Sequence, residues 1–554
     1  MEPLGTFAFV LHTHLPYCRN AGRWPHGEEW LYEAATETYL PLLETLADLA
    51  RHRTFTVTLS LTPVLADQLA APAVLANLAE YIEDRGNRAR ADLARFELRG
   101  EAQYAALARY YADWYDARLW AFRDRFEGDL IGALRRLRES GHVEIITSGA
   151  THPYLPLLSR DSSVYAQVRA GVASYQRTFS DSPDGFWLPE CGYRPATVEG
   201  DGTRRPGLEE FLAAQGILFT FVESHAIEGG APPTGCAHLA PCYAIACGAR
   251  DGRPLAGPTE GYTTSLPYLV GDSNLAVVGR NRRLSMQVWS AGQGYPGDAA
   301  YREFHKRDSV SGMQYWRITG PGTGLGDKGP YDPRLAGERV RQHAAHFASL
   351  VVDELAQHAE RQRGPGLVAA VFDTELFGHW WHEGPDWLRL VLEQLGSDGR
   401  VSLRGVAEHL EAYPPTTAIR VPASSWGAAG DDRTWLNPQT EEMWARVHRC
   451  EAALEQTVAE SPAGRERFLQ QTCREALLAQ SSDWPFLITT GQASEYARQR
   501  FDGHCERFRL LDCLARADLV SGEEAAYLER TESTDQLFSF LRPEWFTARQ
   551  GRSS

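Results

Sequence analysis

Seven short apolar, β-branched or aromatic runs punctuate this chain: Phe7–Leu11, Phe55–Leu61, Val143–Thr147, Gly185–Leu188, Ile217–Val222, Leu275–Val278 and Leu367–Phe372. Helical patterns or long loops separate them, which is the rhythm of a β-α repeat around a buried parallel sheet. Near-continuous apolar character fits strands covered on both faces better than an antiparallel sheet with one wet face. The residues that close each run narrow the fold further. His12 and His14 close the first, Ser60 and Thr62 the second, and Ser148 and His152 the third. Glu190 closes the fourth, Glu223 and His225 the fifth, Arg280 and then Trp289 the sixth, and Asp373 the seventh. Barrel enzymes build their sites from side chains at the C-terminal ends of strands. The expected fold class is therefore α/β, an incomplete seven-stranded (β/α) barrel.

A chain of 554 residues is too long for one ordinary domain but fits a large barrel with additions. From Val64 to Ser140 the pattern is helical, and Tyr104, Leu107, Tyr111, Trp114, Leu119, Phe122 and Phe126 recur at helical spacing. That aromatic stripe reads as packing surface. Pro-rich stretches from Tyr413 and from Arg420 mark the exit from the barrel. Beyond them, Pro438–Ser461, Arg465–Gln480 and Ala493–Ala517 read as helices. The expected division is a catalytic barrel over 1–63 and 141–412, an inserted helical subdomain over 64–140, and an all-helical C-terminal domain over 413–554.

A formal charge of −16 argues against nucleic-acid and anionic-membrane partners, which need clustered Lys and Arg. No apolar run approaches the roughly 20 residues of a membrane helix. The nine Cys are scattered without a Cys-x-x-Cys pair, which fits a reduced, cytoplasmic setting. Met1-Glu-Pro-Leu-Gly-Thr has no basic n-region, so a signal peptide is not expected. The 15 Trp and 22 Tyr offer flat faces on which sugar rings stack, although most aromatics serve the core.

The strand-end residues admit more than one chemistry. Glu190 lies in Gly185-Phe-Trp-Leu-Pro-Glu-Cys-Gly-Tyr193, and Asp373 in Leu367-Val-Ala-Ala-Val-Phe-Asp-Thr-Glu-Leu-Phe-Gly-His379. Two carboxyls facing each other across a pocket are the minimal machinery for cleaving a glycosidic bond, whereas either alone could simply cap a helix. His12-Thr-His14 could ligate zinc, as in amidohydrolase barrels, with His152, His225, His379 or His382 recruited. Equally, these imidazoles could hydrogen-bond substrate hydroxyls or the carboxylates.

Five ordered motifs separate these readings: His12-Thr-His-Leu-Pro-Tyr17; Gly149-Ala-Thr-His152; Trp187-Leu-Pro-Glu-Cys-Gly-Tyr193; Phe372-Asp-Thr-Glu-Leu-Phe-Gly-His379; and Ala493-Ser-Glu-Tyr-Ala-Arg-Gln-Arg-Phe-Asp-Gly-His504. With them the chain resembles glycoside hydrolase family 57 over almost its whole length, and within it the 1,4-α-glucan branching enzymes. The segment Gln287-Val-Trp-Ser through Tyr295-Pro-Gly-Asp to Tyr301-Arg-Glu303 matches that group. The resemblance implies a seven-stranded barrel with helical additions and a retaining mechanism needing neither metal nor cofactor. It implies Glu190 as nucleophile and Asp373 as general acid/base, with the carboxyls about 5–5.5 Å apart. His12, His14 and His152 would contact the donor sugar, and Trp289, Trp426 and Trp435 would form an aromatic wall. Asp483, in Ser481-Ser-Asp-Trp-Pro-Phe486, would reach the same pocket. The implied partner is an α-1,4-glucan such as amylose or glycogen, handled by a monomer or weak homodimer.

One segment departs from the family pattern. A mobile loop with a tyrosine near the intermediate follows the fifth strand in such enzymes. Here Ser224–Asp272 is longer and different, with Tyr243 as the expected gate and Tyr262 as the alternative. A loop that closed poorly would leave a glucan hydrolase in place of a branching enzyme. The Gly-rich stretch Ser309–Pro333 reads as a surface loop near the substrate entrance.

Overall fold

The computed structural model describes residues 3–547 except 23–25, 201, 230–260, 291–293 and 362–363. The seven runs form seven parallel strands: β1 (Gly5–Thr13), β2 (Val57–Leu61), β3 (Val143–Ser148), β4 (Gly185–Trp187), β5 (Phe219–Val222), β6 (Ala276–Gly279) and β7 (Gly366–Asp373). They pair in the spatial order β7-β1-β2-β3-β4-β5-β6. Beyond β6 the sheet continues through antiparallel Tyr268–Val270 to a short strand, Ala418–Ile419, within the stretch expected to be all-helical. Between β6 and β7 the described residues show a bridge of Arg280 with Ala369, in which the Asn281 N–H donates to the Ala369 carbonyl at 2.8 Å, and near it the Leu367 N–H donates to the Ser265 carbonyl at 2.9 Å. No continuous ladder joins β6 to β7 among the described residues, so the barrel is incomplete in the sense expected. A short strand, Val401–Leu403, fills the slot beside Gly5–Phe7 below the start of β2.

Period-two geometry decides which side chains enter the barrel. Ala8, Val10, Ile146, Trp187, Phe219, Phe221, Ala276, Val278, Leu367, Ala369 and Val371 share one buried cluster, the barrel interior. Phe7, Phe9, Leu11, Val57, Leu59, Leu61, Val368, Ala370 and Phe372 belong to the layer under the surrounding helices. Counting on by twos puts His12, Ser60, Ser148 and Asp373 on the inward face at the C-terminal rim. In the β1–β7 register His12 lies opposite Asp373.

Helices Pro63–Leu69, Pro72–Leu98, Ala102–Trp120 and Leu130–Glu139 lie between β2 and β3. Leu107, Tyr111, Phe122 and Phe126 of the aromatic stripe are buried in the main core, with Tyr104, Trp114 and Leu119 packed at its edge. The stretch from Ser309 to Asp332 holds no strand or α-helix, as its glycines suggested, but it is less exposed than a surface loop. Met313, Gln314 and Tyr315 are buried, Tyr315 donates to Asp92 at 2.8 Å, and the Gln314 carbonyl accepts from Tyr111 at 2.7 Å. The start of the stretch, at Ser309 and Val310, and the part around Leu325 stay exposed. Apolar residues between the glycines found a partner surface on the helical insertion, which lies about 200 residues earlier in the chain.

The C-terminal helices run over Glu441–Glu460, Glu466–Ala479, Asp483–Thr490, Ser494–Arg516 and Gly522–Thr534. They share a core with the barrel's flank, since Tyr154, Val164, Phe186 and Leu208 pack in one cluster with Trp435, Trp444, Trp484 and Phe501. Among the described residues no helix is long and apolar enough to cross a membrane.

Candidate active site

Glu190 stands just beyond β4 with φ 62°, in the left-handed region, and His152 beyond β3 likewise has φ 56°. Such backbone costs a non-glycine residue about 1–3 kcal/mol and persists only where its surroundings enforce it. Here the enforcement comes from the C-terminal part of the chain. The Trp426 N–H donates to the Glu190 carbonyl at 3.0 Å, and the Ser482 N–H donates to the His152 carbonyl at 2.9 Å.

The Glu190 carboxylate receives two side-chain donors, Trp426 Nε1 on Oε2 at 2.7 Å and Ser482 Oγ on Oε1 at 2.9 Å. Burial pushes its pKa up to about 7, while those two donors pull the other way. The Trp435 indole N–H adds a weaker pull from outside hydrogen-bonding geometry. Asp373 is also raised to about 7, by burial and then by the charge of Glu190, with Arg280 and His14 opposing. Each acid thus sits within the other's field at the barrel mouth.

Around them lies an aromatic and imidazole wall. His12 stacks on Trp187 at 4.5 Å, and Trp426 meets Trp187 edge-on at 5.1 Å. His14 stacks on His152 at 3.9 Å. The His14 ring is held by Thr62 on Nδ1 and Asp483 on Nε2, both at 3.0 Å, and Ser481 also donates to Asp483. Arg280 pairs with Glu223 at 2.9 Å inside the barrel mouth and lies over the Trp426 ring.

His12, His14, His152, Glu190, Asp373, Trp426 and Asp483 thus gather in one place. Trp435 joins them only from behind: it is 1% exposed and stacks on Tyr154 at 4.2 Å, so its ring backs the wall and presents no open face. Trp289 ends the helix Arg282–Trp289, half-buried against the main core. Among the described residues no ring contact ties it to this cluster. Tyr262 packs on Tyr268 and lines a separate outer cleft with Asn281, Gln287 and Glu354. Tyr243 lies outside the described residues.

Ser482, Trp187 and Glu375 were not singled out from the sequence. Ser482 adjoins Asp483, so the same motif could have pointed to it. Glu375 lies two residues past Asp373 and is raised to about 8 by burial, accepting from Tyr39 at 2.6 Å and from the His14 N–H at 3.2 Å.

The zinc reading fits this geometry poorly. His14, His152 and Asp483 bring possible ligand atoms together. Yet the two rings are stacked with their planes 21° apart, so their in-plane lone pairs run side by side and do not converge at the roughly 2.1 Å zinc requires. His379 and His382 are engaged elsewhere, His382 with Tyr110 at 3.1 Å and His379 beside Glu37.

Comparison with known proteins supplies the remaining context. The profile of glycosyl hydrolase family 57 matches residues 8–422, and that of the 1,4-alpha-glucan branching enzyme C-terminal region matches 446–546. The chain belongs to glycosyl hydrolase family 57. It is 42% identical to a 1,4-alpha-glucan branching enzyme of Thermococcus kodakarensis over 96% of its own length and 77% of that protein's. The crystal structure of a family 57 branching enzyme from the same archaeon, in complex with glucose, superposes with a TM-score of 0.87 at 39% identity. That match covers 99% of this chain and 97% of the other. An alpha-amylase of Thermotoga maritima in this fold aligns at 28% identity with a TM-score of 0.81, covering 99% of both chains.

Proposed function

We propose that this family 57 enzyme is a retaining 1,4-α-glucan branching enzyme, in which Glu190 is the nucleophile and Asp373 the general acid/base. The unequal solvation of the two carboxyls carries the reading. Both are raised to about 7, so their values do not tell them apart, but their donors do. Glu190 accepts from Trp426 and Ser482, which favours the ionised form. Asp373 is pushed up by burial and by Glu190's charge, so of the two carboxyls Asp373 is the one whose protonated form its surroundings favour. An ionised nucleophile beside a protonated acid is the resting state that retention needs.

Asp373 then protonates the departing glucan oxygen while Glu190 bonds to the anomeric carbon. In the second step Asp373 takes the proton of an incoming hydroxyl, which displaces Glu190. If that hydroxyl is O6 of another α-1,4-glucan the product is an α-1,6 branch, and if it is water the product is a reducing end. The half-buried indole of Trp426 beside the carboxylate limits the room for water at that step. Branching is favoured by the family 57 relatives named above and by the match of residues 446–546 to the branching-enzyme C-terminal profile. The structural likeness to an alpha-amylase supports α-glucan hydrolysis as the second reading.

Incubation with amylose followed by debranching decides between them. New α-1,6 linkages are expected, and reducing ends without new branches would leave a hydrolase. The roles of the acids separate with azide and an activated α-glucosyl donor. Asp373→Ala should yield the α-azide, through the intact intermediate, and Glu190→Ala the β-azide by direct displacement. The opposite pairing would reverse the assignment.

A further inference from the structure

The two buried histidines at the rim are joined to Glu190 by more than proximity. The Ser60 Oγ lies 3.2 Å from His12 Nδ1, and His12 Nε2 lies 3.0 Å from His152 Nε2. His152 Nδ1 in turn lies 2.9 Å from Ser482 Oγ, which lies 2.9 Å from Glu190 Oε1. Trp426 occupies the other carboxylate oxygen. We propose that Ser60, His12, His152 and Ser482 form a one-way hydrogen-bond relay, with Ser482 as the residue that positions the nucleophile for glycosyl transfer.

Elementary donor counting sets the direction. An ionised carboxylate only accepts, so the single Ser482 hydroxyl proton points at Glu190 Oε1. Ser482 Oγ must then accept from an N–H at His152 Nδ1. A neutral imidazole carries one N–H, so His152 Nε2 accepts from His12 Nε2–H. His12 Nδ1 is left as the acceptor for Ser60. Every group in the chain is satisfied in this sense, and reversing any link leaves two donors or two acceptors face to face. Burial and the neighbouring imidazoles lower the pKa of both His12 and His152 well below the ordinary histidine value, which keeps them neutral as the count requires. His152 is thereby held as its Nδ1–H tautomer, the minor form of free histidine in water.

The relay crosses the molecule. Ser60 and His12 sit on β2 and β1, His152 follows β3, and Ser482 precedes the helix Asp483–Thr490. The Ser482 N–H donation to the His152 carbonyl and the Pro153–Ser481 bridge clamp the last link. With a donor on each oxygen, Glu190 is fixed in one orientation before substrate arrives, the preorganisation that transfer chemistry rewards. The charged and titratable groups facing Glu190 are Asp373 from β7, Asp483 from its helix, His152 from the loop after β3, the Tyr154 phenol and the neighbouring Cys191 thiol. Removing the Ser482 hydroxyl leaves Asp373 and Asp483 with their own partners and takes from His152 Nδ1 the acceptor it has in the relay.

The proposal rests on Glu190 being the nucleophile. Its test is the full-length Ser482→Ala variant, assayed for glucan transfer across pH, with Ser482→Thr as the rescue. Losing one hydrogen bond to a charged group should lower kcat by about tenfold to a hundredfold with KM nearly unchanged. It should also move the acid limb of kcat/KM upward by about one pH unit, because the ionised form loses a donor. Ser482→Thr should return the limb towards its original place, and Ser60→Ala should move it the same way by less. An unshifted acid limb in folded Ser482→Ala would overturn the proposal. The tautomers are read without turnover in protein carrying 15N-histidine. A proton on Nδ1 of His152 and Nε2 of His12 supports the relay, and a proton on His152 Nε2 overturns it. Undiminished activity in Glu190→Gln would sink the nucleophile assignment itself, an outcome the tautomer signals cannot mimic.

Discussion

A carboxyl buried two residues from the proposed acid/base needs its own account. Glu375 is held up to about 8 by burial, so at neutral pH it is protonated and adds no second charge beside Asp373. A charged Glu375 would push Asp373 higher still, as like charges do. The same shift has a cost in stability. An acid whose folded pKa exceeds its unfolded value of 4.5 stabilises the fold fully below that value and loses the contribution as pH rises to about 8. The slope is on the order of 1.4 kcal/mol per pH unit. Glu375→Gln keeps an acceptor for Tyr39 and for the His14 N–H and cannot ionise. Its melting temperature should rise relative to the unmodified protein as pH goes from 4.5 to 8. A pH-independent difference would mean that Glu375 ionises freely in the fold.

At the scale of elements, the loop after β7 is shaped by its fit against a distorted helix. The segment Ala35–Tyr39 winds as a π-helix between Glu28–Ala34 and Leu40–Leu49, and its Glu37 pairs with Arg302 at 2.9 Å. That extra residue per turn brings the Glu37 carbonyl against Gly378, which has φ 117° and no room for a side chain. A Cβ there would lie 1.8 Å from the carbonyl oxygen. Gly378→Ala therefore combines backbone strain with a clash and should cost about 3 kcal/mol, read from denaturant unfolding. Activity should fall as well, since Gly378 lies five residues beyond Asp373. Unchanged stability would show that the helix and loop can part without consequence. The helical insertion takes part in the same fit through Tyr110 and His382, whose side chains meet at 3.1 Å.

Across the whole molecule, the site depends on a chain segment far beyond the barrel. Trp426, Ser482 and Asp483 reach the strand ends from the C-terminal region, and Trp435, Trp444 and Trp484 complete the core that Tyr154 and Phe186 begin. Ending the chain at Thr440 would expose the apolar flank of Val164, Val168 and Leu155 and remove the Ser482 hydrogen bond. Such a fragment should aggregate or bind a hydrophobic dye, and should show no transfer activity. A soluble fragment with a cooperative melt and full activity would refute this dependence.

What could be read from the chain follows from locality. The seven strands and the three long C-terminal helices were legible because period-two and period-3.6 patterns are written in neighbouring residues. The inward facing of His12 and Asp373 follows from the same parity, and five ordered motifs were enough to name the family. What was not legible lies between residues far apart. Glu190 takes a donor from a serine 292 positions away, and His12 meets His152 across 140. No local pattern records such pairings. Trp435 looked like an open aromatic face until its stacking on Tyr154 buried it, and the loop around Tyr315 looked exposed until the insertion covered it. Residue type and spacing thus determined the barrel and the two acids. Only tertiary structure decided how each acid is solvated, because that depends on donors and bulk delivered from elsewhere in the chain.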